Sequence, residues 1–148
     1  MAMSSGIYGQ TILDALENTY ALDLSSAADS IKWQFVNDTE TPNFDDTTPI
    51  EADIANEVTG TGYTTGGEVL ASSAATLVTQ YVKFDGTDVS LSTTTLSNVE
   101  GVIGFDDTIA APVDPLLWAT DFTTPYSTVA GTFAITWDTN GIFRFSIY

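Results

Sequence analysis

The strongest constraint on the fold comes from the last seventeen residues, TFAITWDTNGIFRFSIY, in which apolar and polar side chains alternate. Apolar residues at every second position are typical of a strand with one buried face. A turn-forming segment divides this stretch into two runs, so the pattern predicts a β-hairpin over Thr132–Tyr148. The two expected apolar rows are Phe133, Ile135 and Trp137, followed by Phe143, Phe145 and Ile147.

The parity of the hairpin loop decides whether these rows meet. A slip of one residue moves every side chain to the opposite face of a strand. We therefore expect a three-residue loop, Asp138 to Asn140, rather than a two-residue turn. This loop would pair Ile135 with Phe143 and Phe133 with Phe145. Either residue of the pair Asn140-Gly141 is then expected at positive φ.

The size of the chain and two missing residue types limit the function. A chain of 148 residues suits one domain with a substantial core. Cysteine and histidine are both absent from the sequence. Their absence excludes disulfides, thiolate metal sites and nucleophiles that depend on a histidine base.

The charge balance is strongly acidic. The chain has twenty acidic residues and only three basic ones, Lys32, Lys83 and Arg144, for a formal net charge of −17. Such a surface should repel nucleic acid and anionic membranes and keep the protein soluble. An acidic solvated surface without a binding role is an equally good interpretation. We expect neither a transmembrane helix nor a secretory signal peptide, because no apolar stretch is long enough and MAMSSGIYGQ has no basic start.

The N-terminal third predicts an arm, a helix and a strand. Residues 1–8 are small and polar and are expected to form an arm. The spacing of apolar residues predicts a short amphipathic helix over Gly9–Leu22, with Ile12, Leu13, Leu16 and Tyr20 on its apolar face. Ser30–Val36 predicts a strand with Ile31, Trp33 and Phe35 facing inward. Residues 9–148 are expected to form a single β-rich domain.

A succession of short segments in the rest of the chain indicates β-structure. The segment Thr59–Gly67 (TGTGYTTGG) predicts a bent loop with Tyr63 packed over it. Strands are predicted at Leu77–Phe84, Val99–Phe105 and Leu116–Phe122, with a turn at Pro125–Gly131. This spacing is typical of an antiparallel β-sandwich or a jelly-roll-like barrel, here with one short N-terminal helix.

Carboxylates are the only side-chain groups suited to catalysis that the chain contains in large number. The pairs Asp45-Asp46 and Asp106-Asp107 could serve glycoside hydrolysis in principle. Neither pair stands in an apolar setting that would raise a pKa, so both are interpreted as solvated turn acids. The segment Asp85–Asp88 lacks the spacing of a calcium loop and is interpreted as a plain turn. With no GxSxG motif either, we expect no catalytic residue, no metal, no cofactor and no enzyme.

Aromatic residues are the best candidates for binding. Trp33 and Trp137 alternate with polar neighbours and are expected in the core. Trp118, whose neighbours on both faces are apolar, and Tyr126 and Tyr63 are candidates for partner contact, although local packing is the favoured interpretation for the two tyrosines.

Two stretches together resemble a known family. They are NEVTGTGYTTGGEVL (Asn56 to Leu70) and GTFAITWDTNGIFRF (Gly131 to Phe145). The chain is similar in these stretches to a small virion surface protein of tailed bacteriophages and prophages, of the head decoration or cement type. Tyr8-Gly9 and Thr41 to Phe44 occur in the same order as in that family, whereas Leu91 to Phe122 departs most from its pattern.

The resemblance implies a structural role. Such a protein binds the outer surface of the shell formed by the major capsid protein and stabilises it, often as a trimer. It would be made in the host cytoplasm and reside on the outer surface of the virion head. It would bind no nucleic acid and no membrane. The resemblance also implies that the arm, including Tyr8, contributes contacts by ordering on docking.

Three other functions stay open at this point. One is a tail or fibre component of the virion. Another is a carbohydrate-binding β-sandwich module that uses Trp118, Tyr126 or Tyr63 as stacking platforms. The third, a glycosidase, would require that one of the acid pairs be essential for turnover.

Overall fold

The computed structural model describes residues 3–147 and is mainly β. Two antiparallel sheets, one of five strands and one of three, form the domain together with one short N-terminal helix. The sheets do not close into a barrel within this part of the chain. The predicted class, an antiparallel β-sandwich with one helix, is therefore confirmed, and the barrel alternative is not adopted. The elements are β1 (Gly6–Ile7), α1 (Gly9–Leu16), β2 (Ile31–Val36), a 3-10 turn (Glu51–Asp53), β3 (Glu68–Val69), β4 (Ala74–Val78), β5 (Tyr81–Asp85), β6 (Val89–Asp106), β7 (Leu116–Ile135) and β8 (Phe143–Ser146).

The large sheet has the order β1-β7-β6-β2-β3 and is organised around the long pair β6 and β7. β2 pairs with β6 along its full length, with Ile31 opposite Asp106 and Val36 opposite Gly101. Both faces of this sheet are covered at its centre. Residues 101–106 are accordingly buried without interruption.

Two apolar clusters cover the two faces of the large sheet. The larger contains Trp33, Phe35, Tyr63, Trp118 and Phe133, and the predicted inward row of β2 belongs to it. The smaller lies on the other face and includes Tyr8, Val36 and Phe105. This second cluster explains why Gln34, predicted to face outward, is only 1% exposed.

The small sheet has the order β4-β5-β8 and packs on the large one through aromatic rings. The ring centroid of Phe84 lies 5.6 Å from that of Trp118 and 4.9 Å from that of Phe143. Each such aromatic contact adds about 0.5–1.5 kcal/mol beyond the area it buries. These rings fix the position of β5 and β8 over the large sheet.

The predicted C-terminal hairpin is wrong, because its two arms lie in different sheets. Phe133 and Ile135 are opposite Leu91 and Val89 of β6. Phe143 and Phe145 are instead opposite Phe84 and Val82 of β5. The alternation of side chains was read correctly, but alternation does not identify the partner strand. The expected positive φ is confirmed at Gly141, where φ is 90°.

Two further strand predictions need correction. The predicted strand Leu77–Phe84 is a hairpin, β4 and β5, that turns at Thr79-Gln80, with Gln80 at a φ of 74°. The predicted turn Pro125–Gly131 lies inside β7, which continues through it by means of several bulges. Turn-favouring residues can occupy a bulged strand because a bulge relaxes the pairing locally.

In the N-terminal region, the helix is shorter than predicted, and the segment predicted as an arm packs on the large sheet. α1 ends at Leu16, and its apolar residues Leu13 and Leu16 are 45% and 81% exposed, whereas Thr11 is buried. Residues 3–8, predicted as an arm, pack on the large sheet: Met3 is 3% exposed, and β1 pairs with β7. Met1 and Ala2 lie outside the described residues.

Candidate functional site

A groove on β7 is the first feature that could receive a partner. The ladder between β6 and β7 is interrupted by register shifts at five places, and Thr123 and Ala130 have positive φ values of 65° and 48°. Bulges increase the twist and bend of a strand pair. The bend places residues 122–128 near residues 132–136 and leaves a groove of about 610 Å³ between them.

The groove is uncharged in a protein of net charge −17. Its ring-bearing residues are Phe122, Tyr126 and Phe133, and the centroid of Phe122 lies 6.2 Å from Tyr126 and 6.4 Å from Phe133. Tyr126 is 53% exposed. The remaining lining residues are small or hydroxyl-bearing: Ser127, Thr128, Thr132, Ala134, Ile135 and Thr136. Its volume suits a small ligand or a few side chains of a partner.

The groove lies along an open edge of the large sheet. β1 covers this edge of β7 at Trp118 and Ala119, and the hydroxyl of Ser5 accepts a hydrogen bond of 2.9 Å from the backbone N–H of Asp121. Within residues 3–147, no strand pairs with this edge farther along β7. An open edge presents backbone donors and acceptors that another strand can use.

Three carboxylates lie at the Phe122 end of the groove. Asp121 and Glu100 occupy neighbouring positions on the β6–β7 pair, and Asp38 accepts a hydrogen bond of 2.7 Å from Asn98. Burial of one carboxyl oxygen raises the pKa of Glu100, and the charges of Asp121 and Asp38 raise it further. A cation placed here would relieve this repulsion.

The small sheet carries a second unpartnered feature. Leu77, Val82 and Phe145 are directly opposite one another on its three strands and so share one face, with Leu77 75% and Phe145 37% exposed. Ile147 continues this row beyond β8 and is 59% exposed. The apolar row extends past the part of the sheet that Phe84 and Phe143 anchor to the core.

Two of the three basic residues lie on the opposite face of the small sheet. Lys83 and Arg144 are opposite each other in the β5–β8 pair. Lys83 forms an ion pair of 3.0 Å with Asp85. The guanidinium of Arg144 lies 4.9 Å from the ring centroid of Tyr81, and its Nη1 donates to the side-chain oxygen of Asn140. Among residues 3–147, Arg144 has no carboxylate partner.

The structure separates the four aromatic residues expected to contact a partner. Tyr8 is 2%, Tyr63 7% and Trp118 1% exposed, so these three are core residues. Tyr126 alone of the four is exposed. The local-packing interpretation therefore applies to Tyr63, and Tyr8 and Trp118 are likewise packed in the core. The sequence neighbours of Tyr8 and Trp118 give no sign of burial, because Phe44 and Phe84, far along the chain, cover them.

The packing of the buried aromatics is specific. Tyr8 lies 5.1 Å from Phe44 between ring centroids. The hydroxyl of Tyr63 donates to Glu57 at 2.7 Å and accepts from the backbone N–H of Phe35 at 3.2 Å. Burial raises the pKa of both tyrosines, and the Glu57 carboxylate raises that of Tyr63 further. Tyr63 thereby holds the glycine loop on β2, whereas the sequence predicted only that it packs over the bend.

The expectation for Asp106 is wrong. It was read as a solvated turn acid, yet it is fully buried at the end of β6 and its Oδ2 has no hydrogen-bond partner. Burial raises the pKa of Asp106 to about 7, and the facing Asp29 carboxylate adds to this. The sequence signal was its position directly after the apolar run Val99–Phe105. Asp107 is more exposed and forms an ion pair of 2.8 Å with Lys32.

The other acids serve local structure. Asp45 is exposed in a turn, and Asp46 accepts a hydrogen bond from the backbone N–H of Thr48. In the segment Asp85–Asp88, Asp88 accepts from the N–H of Trp137, and the carbonyl of Thr87 accepts from its indole N–H. Over the described range, no three carboxylates converge in an arrangement that could hold a metal ion.

Comparisons with known proteins return no relative: no family model, no curated protein and no solved structure matches the chain. In the stretch from Met3 to Ile147, neither the length nor the apolarity of any helix would allow it to cross a bilayer.

Proposed function

We propose that the protein is a structural component of a bacteriophage virion, a decoration protein that binds the outer surface of the shell made by the major capsid protein. The observation that carries this proposal is the joint occurrence of the motifs Asn56 to Leu70 and Gly131 to Phe145 in one chain. No catalytic residue, metal or cofactor is part of the proposal. The protein acts as a homo-oligomer, a trimer, and no nucleic acid or membrane is among its partners.

The positions of the motif residues support the proposal at the level of the scaffold. Tyr63, in the first motif, ties the glycine loop to β2. In the second motif, Phe133 packs on Phe35 at 4.6 Å, and Phe143 packs on Phe84 across to the small sheet. A sequence pattern that holds a rigid two-sheet body together suits a protein whose task is to bind and brace a shell.

The distribution of charge also supports an external position. A net charge of −17 repels the polyanionic genome inside a head. Exposed apolar residues lie on several elements, among them Tyr126 on β7, Leu77 on β4 and Ile147 directly after β8. Exposed apolar groups rimmed by polar ones mark protein contacts.

The proposal is tested by adding the purified protein to phage heads and to tails in separate sedimentation assays. We expect it to sediment with heads up to a saturating ratio and not with tails. Sedimentation with tails alone would favour a tail or fibre component and contradict the proposal. A carbohydrate-binding module has only Tyr126 left as an exposed stacking platform among its three candidates, and a glycan array without binding would exclude it.

A further inference from the structure

We infer that β8 of one copy pairs along the open edge of β7 in a second copy and inserts Phe145 and Ile147 into the groove at Tyr126. This inference gives the contact surfaces for the proposed homo-oligomer. It rests on that part of the proposed function and is independent of any shell.

The first argument is the presence of two open edges on one chain. β8 is an edge of the small sheet and β7, beyond Ala119, is an edge of the large sheet. Within one copy, β8 and this part of β7 do not pair with each other in residues 3–147. Pairing them between copies satisfies backbone groups on both strands, except at Pro125 of β7, which has no N–H to donate.

The second argument is the alternation of side chains on the two strands. On β8, Phe145 points to the apolar face and Arg144 to the opposite face. On β7, Phe122 lines the groove and the neighbouring Asp121 does not. A paired β8 strand that directs Phe145 toward Phe122 directs Arg144 to the side of Asp121.

The third argument is charge, and it selects a second copy as the partner. Arg144 forms no ion pair among the described residues, although its charge helps to lower the pKa of Asp138, whereas at the groove the charges of Asp121 and Asp38 raise the pKa of Glu100. Complementary charges on one chain favour docking of like copies and fix their register. Because the two surfaces differ, the contact is head to tail, and such contacts close into rings when the rotation permits.

The test uses sedimentation velocity over a concentration series with two variants, each of which removes one surface. Ile147→Asp places a charge on the β8 side, and Tyr126→Asp places one in the groove. Each variant alone is expected to weaken self-association by at least about tenfold, as central interface residues do. Circular dichroism and melting curves establish that both fold, which the exposure of the two side chains favours.

Mixing the two variants distinguishes a head-to-tail contact from other arrangements. The Ile147→Asp chain keeps its groove and the Tyr126→Asp chain keeps its β8 strand. An equimolar mixture is therefore expected to form a one-to-one dimer that neither variant forms alone. If mixing restores no dimer, the inference is contradicted.

Leu77→Asp is the matched control, because Leu77 is more exposed than Ile147 and lies on the far strand of the same sheet. It should leave association unchanged. Equal loss in the control would show non-specific apolar association and overturn the inference. A wild-type protein that stays monomeric throughout the series would also overturn it, and would leave the groove to another partner such as a shell subunit or a glycan. Since no phage particle enters the assay, neither result bears on binding to heads.

Discussion

At Gly104, the ring of Trp118 occupies the space that a Cβ atom would need. A Cβ built at this position would lie 2.0 Å from Trp118, near the end of β6 where neighbouring residues are fully buried. Gly104→Ala must therefore move an indole ring that is packed against Phe84. We expect a loss of about 1–3 kcal/mol or more in the free energy of unfolding, measured by urea denaturation.

Gly131→Ala is the control for this substitution. The nearest atom to a Cβ there lies at 3.8 Å, which is an ordinary contact distance. This variant should unfold within about 0.5 kcal/mol of the wild type. If the two alanine variants were equally stable, the close packing of Trp118 on β6 would be contradicted.

We expect the stability of the protein to depend on pH in an unusual way, because the Asp106 carboxyl is buried. Its ordinary pKa is 3.8 and burial raises the folded-state pKa to about 7. The folded protein thus retains a proton that the unfolded chain releases. The stabilising contribution is complete below about pH 4 and is lost as the pH rises toward 7, by an amount on the order of a few kcal/mol.

Asp106→Asn should remove this part of the pH dependence, because an amide does not titrate. The measurement is the urea midpoint at several pH values between 4 and 8, compared with Asp107→Asn. The Asp107 control retains the buried carboxyl and loses only an ion pair with Lys32 at the surface. A wild-type slope that survives in Asp106→Asn would show that other groups cause it; those facing this site include Asp29 and Tyr20.

At the residue scale, burial could be predicted from the sequence for some aromatic residues and not for others. Burial of Trp33 and Trp137 was predictable from alternation with polar neighbours, and both are core residues. Burial of Tyr8 and Trp118 was not, because their covers come from distant segments around Phe44 and Phe84. A single sequence indicates which side of a strand is apolar but not what lies against it.

At the scale of the element, the glycine loop depends on one hydroxyl. Tyr63 bonds Glu57 and the backbone of Phe35, and the same Glu57 oxygen accepts from the N–H of Gly66 at 2.8 Å. Tyr63→Phe leaves the ring in place but deprives two groups of a partner. It should cost about 1–2 kcal/mol of stability by urea denaturation.

Tyr126→Phe is the matched control for this change, since the Tyr126 hydroxyl makes no hydrogen bond within the described structure and its side chain is half exposed. We expect no measurable loss of stability in this variant. Hydrogen exchange at residues 60–67 should accelerate in Tyr63→Phe only. Equal exchange in both variants would mean that the loop is held in some other way.

Strands were easier to predict than their pairing. Ile31–Val36 matches the predicted strand Ser30–Val36 within one residue because period-two patterning is a local property. The C-terminal segments Phe133–Ile135 and Phe143–Phe145 were paired wrongly, because the chain crosses between sheets from 136 to 142. There Gly141 adopts a φ of 90°, which Gly tolerates best.

The bent middle of β7 had no clear sequence signal. Pro125 and Gly131 predicted a turn, yet the chain stays paired through bulges at these positions. The groove and its open edge result from this bend, so the candidate site could not have been located from the sequence. Tyr126 was a candidate only as an aromatic residue beside Pro125 in the predicted turn.

At the scale of the whole molecule, acidic and basic residues are distributed differently. The net charge of −17 is spread over most of the chain, whereas Lys83 and Arg144 lie together on the small sheet. Lys83 forms an ion pair with Asp85, so Arg144 is the basic residue of this pair that can attract an acidic group of another copy. Composition predicted the acidic body, and only the register of β5 and β8 placed the two cations together.

The central claim is that the protein decorates a phage head. The most direct measurement is quantitative mass spectrometry of purified particles after heads and tails have been separated. If the protein decorates heads, we expect to recover it with heads, at a fixed ratio to the major capsid protein. Recovery with tails alone, or absence from intact particles, would contradict it.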